Sequence, residues 1–193
     1  MFSVIIPLYN KAPYIERAIK SVQQQTFQEF EIIVIDDGSA DESLACLHKV
    51  CDEICVYEPS FSKKITIIEQ ANQGVSTTRN NGAKLAKYDY LAFLDADDWW
   101  DISFLEKMKE LTEKYPDAGI YGSNYYKVKT GKNTPAKIGV DANFVSGYID
   151  YFKAYSTSHW MPLWTGAVVV PLDIFNKVGG FKTQLFLGED FDL

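Results

Sequence analysis

Three carboxylates occupy four consecutive positions in the stretch LDADDWW, which follows the apolar run YLAF. Asp95, Asp97 and Asp98 carry like charges that repel one another, so each would be better solvated alone. Hard cations such as Mg²⁺ and Mn²⁺ take oxygen ligands, typically one or two carboxylates together with substrate phosphates and water. The cluster therefore favours a divalent-metal site for a phosphate-bearing ligand, although a D-x-D spacing alone also occurs by chance.

A second acidic pair, Asp36 and Asp37, follows another apolar run, and Pro7 and Tyr9 lie at the end of the first one. In open parallel α/β sheets, the loops after the strands share one edge, where ligands bind. The sequence thus predicts that five carboxylates converge on one crevice. Helix N-capping is the alternative for such acids. Capping does not account for three acids between an apolar strand and two tryptophans.

Hydrophobic periodicity predicts the elements that position these loops. Short apolar runs predict strands at FSVIIP, FEIIVI, ITIIE, YLAFL, AGIYGSN and GAVVVP. Apolar residues spaced three and four apart predict helices between the strands, the first from Ile15 to Val22. Ser39 and Glu42 have capping-box spacing, which predicts the start of the second helix. This alternation predicts an α/β fold with a Rossmann-like, mostly parallel central sheet and helices on both faces, and a polar surface excursion at 127–143.

Composition excludes several classes of protein. The 193 residues suffice for one domain, and a net charge of −7 without a Lys/Arg block argues against a nucleic-acid partner. The N-terminus lacks the cationic region of a signal peptide, and no run reaches the roughly 18 apolar residues of a membrane span. Cys46, Cys51 and Cys55 are odd in number, which favours a reducing, cytoplasmic location, and with His48 they match no common zinc spacing.

Several motifs occur in the order typical of family 2 glycosyltransferases, and the chain resembles that family, whose members have the GT-A fold of nucleotide-diphospho-sugar transferases. The matching stretches are SVIIPLYNKAPYIERAIKSVQQQTFQEFEIIVIDDGSADES, NQGVSTTRNNGAKLAKYDYLAFLDADDWW, TGAVVVPLDIFNKVGGF and GEDFDL. The resemblance implies a single GT-A domain over 1–193. About 1–126 would be its nucleotide-binding half, and about 127–193 the start of an acceptor-binding half that is incomplete, so the chain is expected to be C-terminally truncated.

The resemblance implies a donor site for a nucleotide-diphospho-sugar, with a UDP-sugar favoured. Pro7, Tyr9 and Asp37 would recognise the base, where a carboxylate can accept the N3–H of uracil. Arg79 matches an arginine that lies near the nucleotide; its alternative is an exposed residue on a helix. Asp97 would meet the ribose.

The resemblance also implies a metal and a catalytic base. Asp98, with Asp97, would hold Mn²⁺ or Mg²⁺, and Asp95 would support them. Asp190 matches the base, with Glu189 beside it in a supporting place; an acidic N-cap of a following helix is the alternative for this pair. A base is needed because an acceptor hydroxyl is a poor nucleophile. One base without a nucleophilic carboxylate gives inversion at the anomeric carbon.

Four tryptophans are candidate contacts for an acceptor sugar, although core or rim packing is the alternative for each. They are Trp99, Trp100, Trp160 and Trp164. The acceptor implied is a saccharide or a lipid-linked saccharide in bacterial surface polysaccharide synthesis. That context implies a cytoplasmic protein, peripherally associated with the inner face of the membrane where the acceptor is lipid-linked.

Three other functions compete with this interpretation. A phosphatase of the D-x-D-x-T type needs a hydroxyl residue where this chain has Trp99. A nucleotidyltransferase needs a glycine-rich loop with arginine or lysine after its first strand, and PLYNKAPY, with one lysine and no glycine, shows neither feature in convincing form. A nucleotide-sugar-binding module without turnover would share the donor motifs and lack transfer.

Overall fold

Eight strands and six helices build the part of the chain that the computed structural model describes, residues 1–158 and 160–184. The strands are β1 (Phe2–Leu8), β2 (Phe30–Asp36), β3 (Ile65–Glu69), β4 (Tyr90–Phe93), β5 (Tyr121–Gly122), β6 (Tyr126–Lys129), β7 (Lys132–Pro135) and β8 (Val168–Pro171). The helices are α1 (Ile15–Gln23), α2 (Ser43–Tyr57), α3 (Val75–Lys84), α4 (Phe104–Lys114), α5 (Tyr151–Ser158) and α6 (Leu172–Val178). Short 3₁₀ turns lie at Pro59–Lys63 and Thr165–Ala167.

Six of these strands form one sheet in the order β3-β2-β1-β4-β8-β5. The first four are mutually parallel, and β8 runs antiparallel between β4 and β5. The predicted mostly parallel α/β sheet is therefore confirmed. The run GAVVVP does form a strand, but in the opposite direction. The order turns back at β1, whose neighbours are β2 and β4, so the loops after these three strands lie at one edge.

Helices cover both faces of the sheet, because successive strand residues point to opposite sides. Val4 and Ile6 of β1 pack with the apolar side chains of α1, α2 and α4. Ile5 points the other way and packs with residues of α3 and α6, such as Ala83 and Phe175. Both faces of the sheet are therefore buried, which explains why the sequences of β1 and β2 are nearly continuous runs of apolar residues.

The capping box predicted at Ser39 and Glu42 is not formed. Helix α2 begins at Ser43, whose backbone N–H donates to Asp41 Oδ1 at 2.9 Å. Ser39 instead offers its hydroxyl oxygen to the N–H of Asn10 at 3.0 Å. Asp41 thus forms a local turn with the first residue of the helix, and Ser39 joins the two loops.

The polar segment after β5 contains a hairpin, in which β6 and β7 pair antiparallel. All eight of its strand residues are exposed. The predicted surface excursion is thus partly ordered as a two-stranded ribbon. Within residues 1–158 and 160–184, no helix is long and apolar enough to cross a membrane.

Candidate functional site

The loops after β1 and β2 are hydrogen-bonded to each other. Asn10 N–H donates to Ser39 Oγ at 3.0 Å, and Lys11 N–H donates to Ser43 Oγ at 2.7 Å. Asn10 adopts a left-handed conformation, with φ of 51°. These bonds fix the segment that presents Tyr9, which is 47% exposed. An aromatic ring thus stands in solvent at the edge where the sequence predicts base recognition.

Asp37 lies beneath this edge and is only 3% exposed. Its Oδ1 accepts from Gln70 Nε2 at 2.7 Å and from the N–H of Gln73 at 2.8 Å, and its Oδ2 accepts from the N–H of Gly74 at 2.9 Å. The carboxylate therefore organises the loop that leads into α3. Because Oδ2 has this one hydrogen-bond donor, it keeps a lone pair for an N–H of a ligand.

Arg79 projects from α3 and forms an ion pair with Asp95, at 2.7 Å between Nη2 and Oδ1. The arginine is 3% exposed, so the alternative of an exposed helix residue is excluded. Its guanidinium also lies 5.2 Å from the centre of the Phe181 ring. This ion pair connects Asp95, the first acid of the cluster, to helix α3.

Asp97 is paired with Lys11, at 2.5 Å between Oδ2 and Nζ. The hydrogen bond to this carboxylate raises the pKa of Lys11 above its usual range. Arg17 of α1 donates to the backbone carbonyl of Asp97 at 2.8 Å and stacks 3.6 Å above the ring of Trp99. Two cations thus flank the residue predicted to meet the ribose, a place that suits anionic groups of a nucleotide.

Asp98 is half-buried. Its Oδ2 accepts from the indole N–H of Trp164 at 3.2 Å. Burial is the main cause that raises the pKa of this carboxyl, and the neighbouring charges of Asp95 and Asp97 add to it. A Cβ at Gly166 would stand 3.0 Å from Oδ2, so the close approach of this chain segment to Asp98 depends on a glycine.

A cleft of about 920 Å³ opens beside Asp98. Trp99 is 39% exposed at its rim, whereas Trp100 is 6% exposed, stacks on Phe104 and donates to the carbonyl of Gly166 at 2.6 Å. The structure places Trp100 in the core, so it has little ring surface for a sugar. Trp164 lines the cleft and packs 5.5 Å from Tyr125 between ring centres.

The five carboxylates do not share one ligand-binding cluster. In the part of the chain that the structure describes, no three His, Cys, Asp or Glu side chains are placed to hold a metal together. Asp37 accepts hydrogen bonds from the loop before α3, and Asp95 forms an ion pair with Arg79. The buried Asp36 accepts from the N–H of Ser39 at 3.2 Å. The convergence of these acids on one ligand crevice stays a prediction. Asp98, with its single indole partner, is the carboxylate most open to a cation.

Such a donor set still fits Mg²⁺ or Mn²⁺, which are held in many sites by one or two carboxylates plus substrate phosphates. Asp97 would have to exchange its lysine partner to contribute. The predicted base Asp190 and its neighbour Glu189 lie outside the described residues. Sequence reasoning missed Lys11 and Arg17; the position of Lys11 directly after Tyr9 and Asn10, at a strand's carboxyl end, was the available signal.

A model of the family described as "Glycosyl transferase family 2" matches residues 3–166. The chain therefore belongs to glycosyl transferase family 2. An uncharacterized glycosyltransferase of Bacillus subtilis, EpsJ, is 33% identical over 145 residues, which are 75% of this chain and 40% of that protein. An uncharacterized glycosyltransferase of Haemophilus influenzae is 29% identical over 208 residues, with coverage of 100% of this chain and 60% of that one.

Solved structures share the fold. TarS 1-349 of S. aureus superposes with a TM-score of 0.72 at 21% identity, over 98% of this chain and 52% of that chain. The mannosyltransferase PcManGT from Pyrobaculum calidifontis, solved with GDP-Man and Mn²⁺, gives 0.70 at 18% identity, over 99% and 50%. The predicted GT-A architecture is confirmed. The chain spans about half the length of these two solved chains.

Proposed function

We propose that this chain carries the donor site of an inverting glycosyltransferase, which moves a sugar from a nucleotide-diphospho-sugar to an acceptor hydroxyl. Family membership supports this reaction class over a phosphatase or a nucleotidyltransferase. The observation that carries the proposal is the place of Asp98: a half-buried carboxylate held by the Trp164 indole at the mouth of a large cleft. It lies directly beside a second carboxylate that is neutralised by lysine.

The donor nucleotide would lie across the loops after β1, β2 and β4. Tyr9 offers an exposed ring for stacking on the base, and Asp37 Oδ2 offers an acceptor for its N–H. Asp97 would accept from the ribose hydroxyls, and Lys11 would turn to a phosphate oxygen once the ribose takes its place. UDP is the favoured nucleotide, since the carboxylate of Asp37 suits the N3–H of uracil. TarS has been solved with UDP-GlcNAc, which is consistent with that preference.

Asp98 and Asp97 would hold Mn²⁺ or Mg²⁺. Held by these residues, the ion would supply positive charge to offset the negative charge of the leaving diphosphate. The solved complex of PcManGT contains Mn²⁺ with a nucleotide sugar, which supports a divalent cation in this fold. Trp164 keeps Asp98 oriented toward the cleft.

Asp190 would act as the base. It would take the proton of the acceptor hydroxyl as that oxygen bonds to the anomeric carbon and the bond from carbon to diphosphate breaks. A single displacement of this kind inverts the anomeric configuration. The acceptor is a saccharide or a lipid-linked saccharide of a bacterial surface polysaccharide, and the protein works in the cytoplasm, at the inner face of the membrane when the acceptor is lipid-linked.

The test is the thermal stability of the chain with UDP-, GDP- and dTDP-sugars, each with and without Mn²⁺. We expect the midpoint of unfolding to rise most with a UDP-sugar and Mn²⁺, because a ligand that binds only the folded state stabilises it. If no nucleotide with Mn²⁺ or Mg²⁺ shifts the midpoint, the proposed donor site is wrong.

Two variants separate the roles. Asp190→Asn should keep metal-dependent nucleotide binding and lose transfer, since only the base is removed. Asp98→Asn should lose the metal-dependent part of binding. Transfer is measured on the full-length protein, because this chain spans about half of its solved relatives. Equal residual transfer in both variants would contradict the assignment, and binding without any transfer in the unaltered protein would indicate a binding module.

A further inference from the structure

One wall of the cleft is the hairpin of β6 and β7, and its charge is opposite to that of the chain. Residues 126–137 contain Lys127, Lys129, Lys132 and Lys137 and no acid, whereas the whole chain has a net charge of −7. Among the described residues, none of these four lysines pairs with a carboxylate. Lysines of α1 and α4, by contrast, pair with glutamates one helical turn away. The hairpin therefore holds a local excess of positive charge.

The backbone of the hairpin gathers this charge on one face. Thr130 and Gly131 have φ of 48° and 75°, as a tight two-residue turn requires. The register places Lys129 directly opposite Lys132, and Lys127 lies two residues back along the same strand. Side chains alternate along a strand, so all three lysines share a face. Like charges in this arrangement destabilise a ribbon, and a bound anion would remove the repulsion.

The positive face adjoins the aromatic side of the cleft. Lys127 and Lys129 line the same cleft as Asp98. The Lys127 ammonium lies 4.5 Å from the centre of the Trp160 ring, which packs 6.5 Å from that of Tyr125. Aromatic faces suit the apolar side of a sugar ring, and a lysine over an aromatic ring is held in place by the quadrupole of that ring.

We propose that the hairpin binds the phosphate of an acceptor that carries a phosphoryl group next to its sugar, as in a glycosyl phosphate or a lipid-linked glycosyl diphosphate. This inference rests on the proposed function and names the class of its acceptor. The sugar lies against Tyr125, which lines the cleft, and the phosphate meets Lys127 and Lys129. Because the rest of the chain is acidic, the hairpin is the favourable approach for an anionic acceptor.

The experiment compares glucose 1-phosphate with glucose, by titration at low salt with saturating UDP and Mn²⁺ so that the donor site is filled. We expect the phosphate to bind about tenfold more tightly, a difference of about 1.4 kcal/mol. The double variant Lys127→Ala/Lys129→Ala should remove the preference. Lys127→Arg/Lys129→Arg should retain it, because the charge remains.

The matched control is Lys63→Ala/Lys177→Ala, which removes two charges at exposed positions that do not line the cleft. It should keep the preference for glucose 1-phosphate. If both alanine pairs lose the preference equally, net charge and not the hairpin attracts the anion, and the inference is overturned. All four lysines in these variants are exposed, and folding is checked by the unchanged stabilisation with UDP and Mn²⁺.

Two vesicle measurements identify the source of the phosphate. A glycosyl diphosphate lipid in phosphatidylcholine vesicles should bind with the same dependence on Lys127 and Lys129; tighter binding than that of glucose 1-phosphate would make it the natural source. Lysine-dependent binding to phosphatidylglycerol vesicles, without a preference for glucose 1-phosphate, would assign the hairpin to a membrane surface and overturn the inference.

Intact stabilisation by UDP and Mn²⁺ without any preference for glucose 1-phosphate over glucose overturns this inference alone. Absence of that stabilisation overturns the proposed function itself.

Discussion

Asp98, the proposed metal ligand, lowers the stability of the folded chain when it is ionised. Burial raises the pKa of its carboxyl above the ordinary value of 3.8. Ionised Asp98 is therefore less favourable in the folded chain than in the unfolded one. The loss of stability sets in as pH rises through the ordinary value of 3.8, at which the unfolded chain ionises, and is complete above the raised pKa. Asn cannot ionise and can still accept the Trp164 N–H. We expect Asp98→Asn to be more stable than the unaltered chain at pH 7 without metal.

The measurement is thermal unfolding across pH, without metal or nucleotide. The stability gain of Asp98→Asn should shrink as pH falls and vanish below about pH 3, where the carboxyl is protonated in both the folded and the unfolded state. Asp117→Asn is the control, because Asp117 is exposed and should give no gain. A gain that is the same at every pH would mean that ionisation of Asp98 is not its cause.

Sequence reasoning located Asp37, Arg79 and the acidic cluster because each stands at a strand end or in a distinctive motif. It could not show that Lys11 pairs with Asp97, since a lone lysine in a loop has no pattern. It placed five acids in one crevice, because the carboxyl ends of parallel strands meet there. In the structure, Asp37, Asp95 and Asp97 each bind a different partner within the protein. Those partners come from other segments, whose paths the sequence does not specify.

At the scale of elements, α3 forms against its local preference. Its sequence VSTTRNNGAK is poor in strong helix formers and contains Gly82 near its end. A Cβ at Gly82 would stand 2.5 Å from Cγ2 of Ile5, which is fully buried in β1. The helix thus lies unusually close to the sheet. Tertiary packing, and not propensity, holds Arg79 beside Asp95.

We expect Gly82→Ala to lower the free energy of unfolding by about 1–2 kcal/mol, because overpacking against Ile5 exceeds the helix-propensity gain of alanine. Chemical denaturation measures the loss. A shift of α3 should also weaken nucleotide binding through Arg79. Gly119→Ala is the matched control, since its Cβ would meet only Ile174 at an ordinary 3.7 Å. If Gly82→Ala stabilises the chain, the close packing of α3 does not restrict residue size there.

Elements also show where patterns mislead. Ser39 and Glu42 have the correct spacing for a capping box, yet Asp41 competes for the same helix start and binds it. The hairpin of β6 and β7 was predicted only as a surface excursion, because both its faces are exposed and no apolar alternation marks it. Strand GAVVVP was recognised by its β-branched run. Its antiparallel direction was not predicted, because the direction of a strand depends on the path of the chain that leads into it and not on the residues of the strand.

At the scale of the whole molecule, β8 brings the two halves implied by the family resemblance into one sheet. It comes from the second half and lies between β4 and β5 of the first. Val168, Val169 and Val170 are each at most 2% exposed, and they pack into cores on both faces of the sheet. Burying three such side chains contributes several kcal/mol, at roughly 1.5 kcal/mol or more each. That is comparable with the 5–15 kcal/mol of a typical domain.

We therefore expect a fragment of residues 1–126 not to fold as a nucleotide-binding domain, although it contains Asp37, Arg79 and all three acids of the cluster. Without β8, the edge of β4 is unpaired and β5 has no neighbour in the sheet. Circular dichroism during heating should show one cooperative transition for the 193-residue chain and none for the fragment, which should also aggregate through the open edge of β4. A fragment that unfolds cooperatively and is stabilised by UDP with Mn²⁺ would show instead that the donor site is an independent half.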